Sequence, residues 1–270
     1  MYTLASKRNS RSIVRVASAS FGDGGFAVIA GPCSVETREQ IESTATMVAR
    51  SGAHLLRGGV YKPRTSPYAF QGLGDPGVSF IARASRQSGL PAVVEALSDE
   101  HLEALRDNVG MIQIGARNMQ NFALLRAAAR LHKPILLKRA AAATLDELLY
   151  AAEYILLEGN QDVVLCERGV RGFDPQTRNV FDLAGALRLR ELTHLPVIVD
   201  PSHATGRASL VEPLVIAAAA AGLDGAMVET HPAPAEALSD GPQSLDFAQF
   251  ESMMRRLEAF GFNGRALQAV

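Results

Sequence analysis

Tryptophan is absent from the 270 residues, aromatic side chains make up only 6%, and there are just two cysteines, Cys33 and Cys166. Two distant cysteines exclude a disulfide-dense scaffold and suit a reduced, cytoplasmic setting. No charge dominates: 27 Lys and Arg stand against 28 Asp and Glu, for a formal net charge of -1. That excludes the basic excess of a nucleic-acid binder, so no nucleic-acid partner is expected. No apolar run reaches membrane length; the longest, around Leu214 to Ala221, is short and Ala-rich. The first residues lack an apolar stretch of signal-peptide type. No low-complexity linker divides the chain and no short-period repeat is evident. What is present in quantity is hydrophobic residues, 47% of the chain, ample core for one large domain or two small ones.

Residues 1–25 read as an N-terminal extension. Lys7, Arg8, Arg11 and Arg15 occur there with no acid before Asp23. A targeting presequence, a basic surface tail and a short hairpin capping a barrel are the readings open for it. Residues 26–270 have a rhythm in which short runs rich in Val, Ile and Leu alternate with amphipathic stretches. The runs are 26–31, 53–58, 91–96, 111–116, 134–139, 162–168, 195–200 and 224–229. Apolar runs of this kind suit strands buried on both faces, as in a parallel sheet. Helical patterns are expected over 37–51, 75–88, 98–108, 121–131, 144–158, 177–189, 208–221 and 244–260. Ser98 is an expected N-cap, as is Thr144 with Glu147 three residues on. Eight β/α units predict an α/β fold, a single (β/α)8 TIM barrel.

In such a barrel, the functional groups come from the C-terminal ends of the strands. Here those ends carry Cys33, Arg57, Glu95, Arg117, Lys138-Arg139, Glu167-Arg168, Asp200-Pro201-Ser202-His203 and Glu229. Charge is costly to bury unless paired, so this convergence on one rim points to a site. Between Arg57 and Gly74 the sequence RGGVYKPRTSPYAFQGLG holds Arg57, Lys62 and Arg64 with Thr65 and Ser66, and no acid occurs from residue 43 to residue 74. Uncompensated cations on a proline-stiffened loop suit an anion such as phosphate or carboxylate. Arg117, Lys138 and Arg168 face the same mouth in this arrangement, with ion pairs to Glu95, Glu167 and Asp200 expected to absorb part of the charge. Cys33, His203, Glu229 and Asp240 form a second set. One thiol, one imidazole and two carboxylates suit a borderline divalent ion, although a buried Cys and a hydrogen-bonded loop His account for two of them equally well.

Six motifs occur in order: AGPCSVE (30–36), RGGVYKPRTSPYAFQGLG (57–74), QIGARNMQN (113–121), CERGVRGFD (166–174), PVIVDPSHATGR (196–207) and ALSDGPQSL (237–245). From about Phe26 to Phe260 the chain resembles the 3-deoxy-D-arabino-heptulosonate 7-phosphate (DAHP) synthases of the short type I-beta class. The resemblance implies one divalent metal ion (Mn, Fe, Co or Zn) on Cys33, His203, Glu229 and Asp240. It implies phosphoenolpyruvate on Arg57, Lys62, Gly115, Ala116, Arg117, Lys138 and Arg168. The phosphate of erythrose 4-phosphate falls on Arg64, Thr65 and Ser66. The expected reaction condenses these substrates with water to give DAHP and phosphate, the first step of the shikimate pathway. Catalytic roles fall on Lys138 and His203, as candidate proton donors to the new alkoxide, and on Glu95, which would orient the attacking water. A cytoplasmic homo-oligomer, dimer or tetramer, is expected, along with freedom from feedback by an attached regulatory domain. Two positions depart from the family pattern: Ala140 stands where Gly is usual and Gly172 where Thr is usual. The octulosonate 8-phosphate synthases resemble the chain at Gly31-Pro32-Cys33, but their loop usually reads Lys-Ala-Asn-Arg where this one has Lys62-Pro63-Arg64-Thr65. That difference favours the four-carbon acceptor. A non-catalytic barrel is the reading from another class.

Overall fold

The computed structural model describes residues 2–262; Met1 and the end of the expected barrel segment, 263–270, lie outside the described residues. An N-terminal hairpin pairs β1 (Val14–Val16) with β2 (Ala19–Phe21). Eight parallel strands follow: β3 (Ala27–Gly31), β4 (Leu55–Arg57), β5 (Ala92–Glu95), β6 (Met111–Ile114), β7 (Ile135–Lys138), β8 (Val163–Glu167), β9 (Val197–Val199) and β10 (Gly225–Glu229). Each pairs with the next, and β10 pairs with both β9 and β3, so the sheet closes into a barrel. The expected (β/α)8 fold is the fold observed.

Helices pack around it: α1 (Arg38–Arg50), α2 (Asp75–Ser88), α3 (Asp99–Leu105), α4 (Phe122–Ala129), α5 (Leu145–Leu157), α6 (Leu183–Leu192), α7 (Pro201–Thr205), α8 (Ala208–Ala220) and α9 (Phe247–Ala259). Seven of these nine starts follow from side chains that accept the orphan N–H groups of a first turn; α2 and α8 begin without one. Ser98 caps α3, and Thr144 with Glu147 makes a reciprocal capping box on α5, as expected. The helix expected over 177–189 is displaced: α6 begins at Leu183 because Asp182 caps it. Residues 168–181 instead form a loop braced by paired backbone hydrogen bonds between Val170 and Val180. The one-turn helix α7, capped by Asp200, was not expected.

The strands alternate, and the alternation separates two cores. One face of the strands, including Val28, Leu56, Val94, Ile112, Leu137, Leu165, Val199 and Val228, packs under the helices. The other face fills the barrel with Ala27, Ile29, Leu55, Val93, Met111, Leu136, Val164, Ile198 and Met227. Val14, Val16, Ala19 and Phe21 of the hairpin belong to that interior cluster and are all buried. Of the three readings of the N-terminal residues, the structure has the hairpin, and it plugs the base of the barrel. With the base filled by apolar side chains, only the C-terminal end remains to hold polar ones.

Phe21 is fully buried and among the largest side chains of the core. Truncating it leaves a cavity, so Phe21→Ala is expected to destabilise the protein by about 3–5 kcal/mol, read as a fall in the urea midpoint. A loss below about 1 kcal/mol, the size of a surface change, would show that the hairpin does not close the core.

Candidate active site at the barrel rim

The inward positions of the strands change character toward their C-terminal ends. Leu55 is followed two residues on by Arg57, Val93 by Glu95, Met111 by Gln113, Leu136 by Lys138, Ile198 by Asp200 and Met227 by Glu229. Period-2 alternation thus sets a charged layer directly above the apolar filling. Above it opens a cleft of about 350 Å³ lined by Arg57, Lys62, Arg64, Thr65, Ser66, Glu95, Gly115, Ala116, Arg117, Lys138, Arg168, His203 and Asp240, among others. Every substrate-contact and catalytic residue expected from the sequence therefore borders one cleft.

Cys33 and Glu229 are buried behind its lining, 2% and 0% exposed. With His203 and Asp240 they place four ligand-type atoms within 4.8 Å of one another. Cys33 Sγ is 3.3 Å from Asp240 Oδ2, and His203 Nε2 is 3.3 Å from Glu229 Oε1 and 3.8 Å from Asp240 Oδ2. Two features orient the set. Asp200 accepts the His203 backbone N–H at 3.0 Å through Oδ1 and the ring Nδ1 at 2.7 Å through Oδ2. Fixing Nδ1 in this way leaves Nε2 to face the cluster, the usual support for an imidazole that ligates a metal. Asp240 has φ 53°, in the left-handed region that Asp tolerates better than most residues, and this turns its carboxylate toward Cys33.

The loops bearing Cys33 and Asp240 are tied together. Ser34 Oγ and Ser239 Oγ are 2.6 Å apart, the Leu238 N–H donates to Glu36 Oε1 at 2.9 Å, and His231 Nε2 lies 3.4 Å from Glu36 Oε2.

The donor set fits a divalent ion on its own chemistry. Burial, aided by Glu229, pushes the Cys33 thiol up to about 12. A coordinated cation reverses that balance and takes the thiolate. Burial also opposes charge on Glu229, yet His203, Arg57 and Lys62 outweigh it and hold the carboxyl down at about 2. Burial opposes charge on Asp200 too, and His203 and Lys138 hold it well below the carboxylate range. His203 itself is lowered, chiefly by burial, against the pull of Asp200 and Glu229, which favours the neutral ring a metal needs.

The cations divide into paired and unpaired. Arg57 donates to Glu229 at 2.7 Å and Lys138 bonds Asp200. Lys62 Nζ lies 3.0 Å from Cys33 Sγ and 2.9 Å from the Cys33 carbonyl. Arg64, Arg117 and Arg168 have no carboxylate within ion-pair distance among the described residues. The acid expected to offset part of this charge, Glu167, does not do so. Its neighbours in sequence point inward, so alternation turns it outward, where it meets Arg139 at 3.1 Å. Arg139, the other cation at the end of β7, is spent on Glu167 and Asp182. Glu95 is bonded by Gln113 Nε2 at 3.3 Å rather than by a cation. A Cβ at Gly115 would come within 1.8 Å of Glu95 Oε1, so the absent side chain at 115 makes room for that carboxylate.

Three polar residues at the site were not singled out from the sequence. Gln243 donates to Glu229 Oε2 at 2.6 Å, and Arg178 reaches both Gln243 Oε1, at 3.1 Å, and Asp240, at 3.6 Å. Gln113 holds Glu95. The first lies in a 3-10 turn and the second in a loop, on paths that no local pattern predicts; Gln113, a polar residue in an apolar strand, was a readable signal. The two family departures are peripheral. The Ala140 N–H faces Met119 Sδ at 3.2 Å, and a Cβ at Gly172 would meet Val180 Cγ2 at 2.6 Å.

A family model described as the DAHP synthetase I family matches residues 10–260. The chain belongs to the DAHP synthetase I family. It is 47% identical over 247 residues to a phospho-2-dehydro-3-deoxyheptonate aldolase of Thermotoga maritima, covering 92% of this chain and 73% of that one. The crystal structure of a DAHP synthase from Thermotoga maritima superposes with a TM-score of 0.94 at 44% identity, covering 98% of this chain and 79% of that one. A 2-dehydro-3-deoxyphosphooctonate aldolase of a Bradyrhizobium strain is 32% identical, covering 92% of this chain and 93% of that one. The chain is thus an enzyme of the DAHP synthetase I family. Among the described residues no helix is long and apolar enough to cross a membrane.

Replacing Asp200 by Asn keeps the shape but weakens the acceptor that fixes His203. Loss of such an outer partner typically costs 10–100-fold in metal affinity. Asp200→Asn is therefore expected to bind Mn or Zn about 10–100-fold more weakly in a chelator competition. Unchanged affinity would separate Asp200 from the cluster.

Proposed function

We propose that this chain is a type I-beta DAHP synthase, condensing phosphoenolpyruvate with erythrose 4-phosphate and water to give DAHP and phosphate at the head of the shikimate pathway. One observation carries the reading. A single cleft gathers His203 and Asp240 of the thiol–imidazole–carboxylate cluster, the unpaired arginines and the Lys62-Pro63-Arg64-Thr65 loop. In this reading Cys33, His203, Glu229 and Asp240 hold one divalent ion. When bound, the ion supplies Lewis-acid polarisation of the acceptor's carbonyl.

Arg57, Lys62, Arg117, Lys138 and Arg168, with the backbone of Gly115 and Ala116, hold the carboxylate and phosphate of phosphoenolpyruvate. Arg64, Thr65 and Ser66 hold the phosphate of the sugar on the lip. C3 of phosphoenolpyruvate then bonds to the aldehyde carbon, whose oxygen takes up a proton. Both ring nitrogens of His203 are engaged, Nδ1 by Asp200 and Nε2 by the cluster, so Lys138 is the better placed of the two candidate donors. Glu95 orients water toward C2 and accepts its proton. The C2–O bond to phosphate breaks, phosphate leaves, and the added hydroxyl becomes the C2 ketone as it loses its proton. Holding two anions face to face supplies much of the acceleration. The working enzyme is taken to be a cytoplasmic homo-oligomer, a dimer or tetramer.

The octonate aldolases are the rival, since they too are similar to this chain; their acceptor is longer by one carbon. The deciding assay is phosphate release from phosphoenolpyruvate by the metal-loaded protein with erythrose 4-phosphate, with arabinose 5-phosphate and with no sugar, each with and without EDTA. Release with the four-carbon sugar alone, abolished by EDTA, is expected. Release with only the five-carbon sugar would transfer the chain to the rival reading, and none with either would indicate a non-catalytic barrel. Within the active enzyme, Glu95→Gln is expected to lower kcat by about 10²–10⁴-fold, the usual contribution of a positioned acid or base. A kcat within threefold of the parent would remove Glu95 from the mechanism.

A further inference from the structure

The N-terminal segment lies across the base of the barrel, at the end opposite the rim. The Lys7 N–H donates to the Leu192 carbonyl at 2.8 Å and the Ser12 N–H to the His194 carbonyl at 2.9 Å. The His194 ring bridges Ser12 Oγ and the Leu4 carbonyl at 2.7 and 2.8 Å. Between this segment and the last turns of α6 lies a hollow of about 410 Å³, lined by Lys7, Arg8, Arg11, Arg190, Leu187 and His194, among others.

Four cations border the hollow and the acids nearby are already engaged. Glu191 is bonded by Arg188 at 2.7 Å. Asp224 is bonded by Arg11 at 2.6 Å and by the Val197 N–H at 2.7 Å. The Lys7 side chain has no hydrogen-bond or ionic partner among the described residues, and the Arg190 side chain has no hydrogen bond, its charge being felt by Asp224 alone of the acids. Of the three buried side-chain polar atoms that lack a hydrogen bond among the described residues, two are here, Arg11 Nε and Arg190 Nε. A buried donor left unpaired typically costs about 1–3 kcal/mol, and such groups call for an acceptor. Burial lowers the Arg11 pKa and the charge of Arg190 pushes the same way, against Asp224. Two like charges are thus held close with one carboxylate between them.

We propose that this hollow is a second anion site, which takes a small doubly charged anion of the phosphomonoester class. Lys7 and Arg8 have no carboxylate, Arg11 and Arg190 share Asp224, and Glu191 on the lining is paired with Arg188, so a single negative charge would leave the site positive. A tetrahedral phosphate offers oxygens to cations arriving from several directions, whereas a planar carboxylate matches one fork. The hollow exceeds the needs of phosphate alone, and Leu187 gives it an apolar wall for an organic body. One side of the site is the N-terminal segment and the other is α6 with the lead-in to β9. A bound anion therefore clamps the segment, and with it the hairpin that plugs the barrel.

The test is calorimetric titration of the full chain with inorganic phosphate at ionic strength held constant with chloride. The parent, Arg117→Ala at the rim, and Arg190→Gln and Lys7→Gln at the base are compared. Lys7 is exposed, so its replacement leaves folding intact. The expected result is phosphate binding that survives Arg117→Ala, weakens about tenfold or more in Arg190→Gln, and weakens measurably in Lys7→Gln, the loss of a charge-assisted contact being the cause. Phosphate should also raise the Tm of Arg117→Ala more than that of Arg190→Gln carrying the same rim change. Binding unchanged by both base variants, or abolished by Arg117→Ala alone, would overturn the proposal.

Discussion

A closed barrel has one interior, and every strand that lines it must turn alternate residues inward. That constraint underlies the rest of the molecule. It forces each strand to choose its inward residues by height, apolar where the barrel is plugged and polar where it opens. The hairpin makes the choice possible. Val14, Val16, Ala19 and Phe21 seal the base, so the apolar layer needs only one inward residue from most strands. The next inward position on each is then free to carry charge. Fold and site are thus one pattern read at two heights of the same strands.

The charged layer persists because it is nearly self-balanced. Glu229 accepts from Arg57 and Gln243, lies beside His203 Nε2 and takes its backbone environment from Ser202. Asp200 joins Lys138 to His203 through a single oxygen. Buried charges of this kind are costly alone and tolerable only as a fully bonded set. What the set does not balance is informative. A thiol, two carboxylates and a neutral imidazole converge with room for a cation among them. Three arginines above them face the cleft with no acid to meet, which leaves room for anions. The two imbalances are of opposite sign, one suited to a cation and the other to anions.

Much of this was legible in the sequence, because the signals were strong and local. Eight Val- and Ile-rich runs identified the strands, and the residue at each strand end identified the rim. Thr144 and Ser98 marked helix starts through the cap chemistry of their side chains. What was not legible depended on phase or on long-range contact. Whether Glu167 or Arg168 faces the cleft is a matter of one residue in register, and a run of polar residues at a strand end does not declare it. The start of α6 was misplaced because residues 177–182 continue a helical pattern, while the tertiary brace between Val170 and Val180 holds them in a loop. Arg178 reaches the cluster from a loop and Gln243 from a 3-10 turn, 65 positions apart in sequence; no spacing rule connects them.

Burial also divides labour within the cleft. Arg57, Lys138 and Arg168 are each less than a tenth exposed; the first two end strands that tolerate little movement and Arg168 directly follows one. Thr65, Ser66 and Arg117 are exposed and lie on loops or just beyond a strand. A group held by a packed strand keeps its geometry through a catalytic cycle, whereas a loop can change between relatives without disturbing the barrel. Under the proposed function, the rigid floor would serve the condensation itself, which needs one fixed geometry. The lip is where acceptor length can be read. Under the same proposal, the choice between a four- and a five-carbon sugar would rest with Pro63, Arg64 and Thr65 rather than with any residue of the cluster, and altering the lip would change the acceptor while leaving the chemistry beneath it intact.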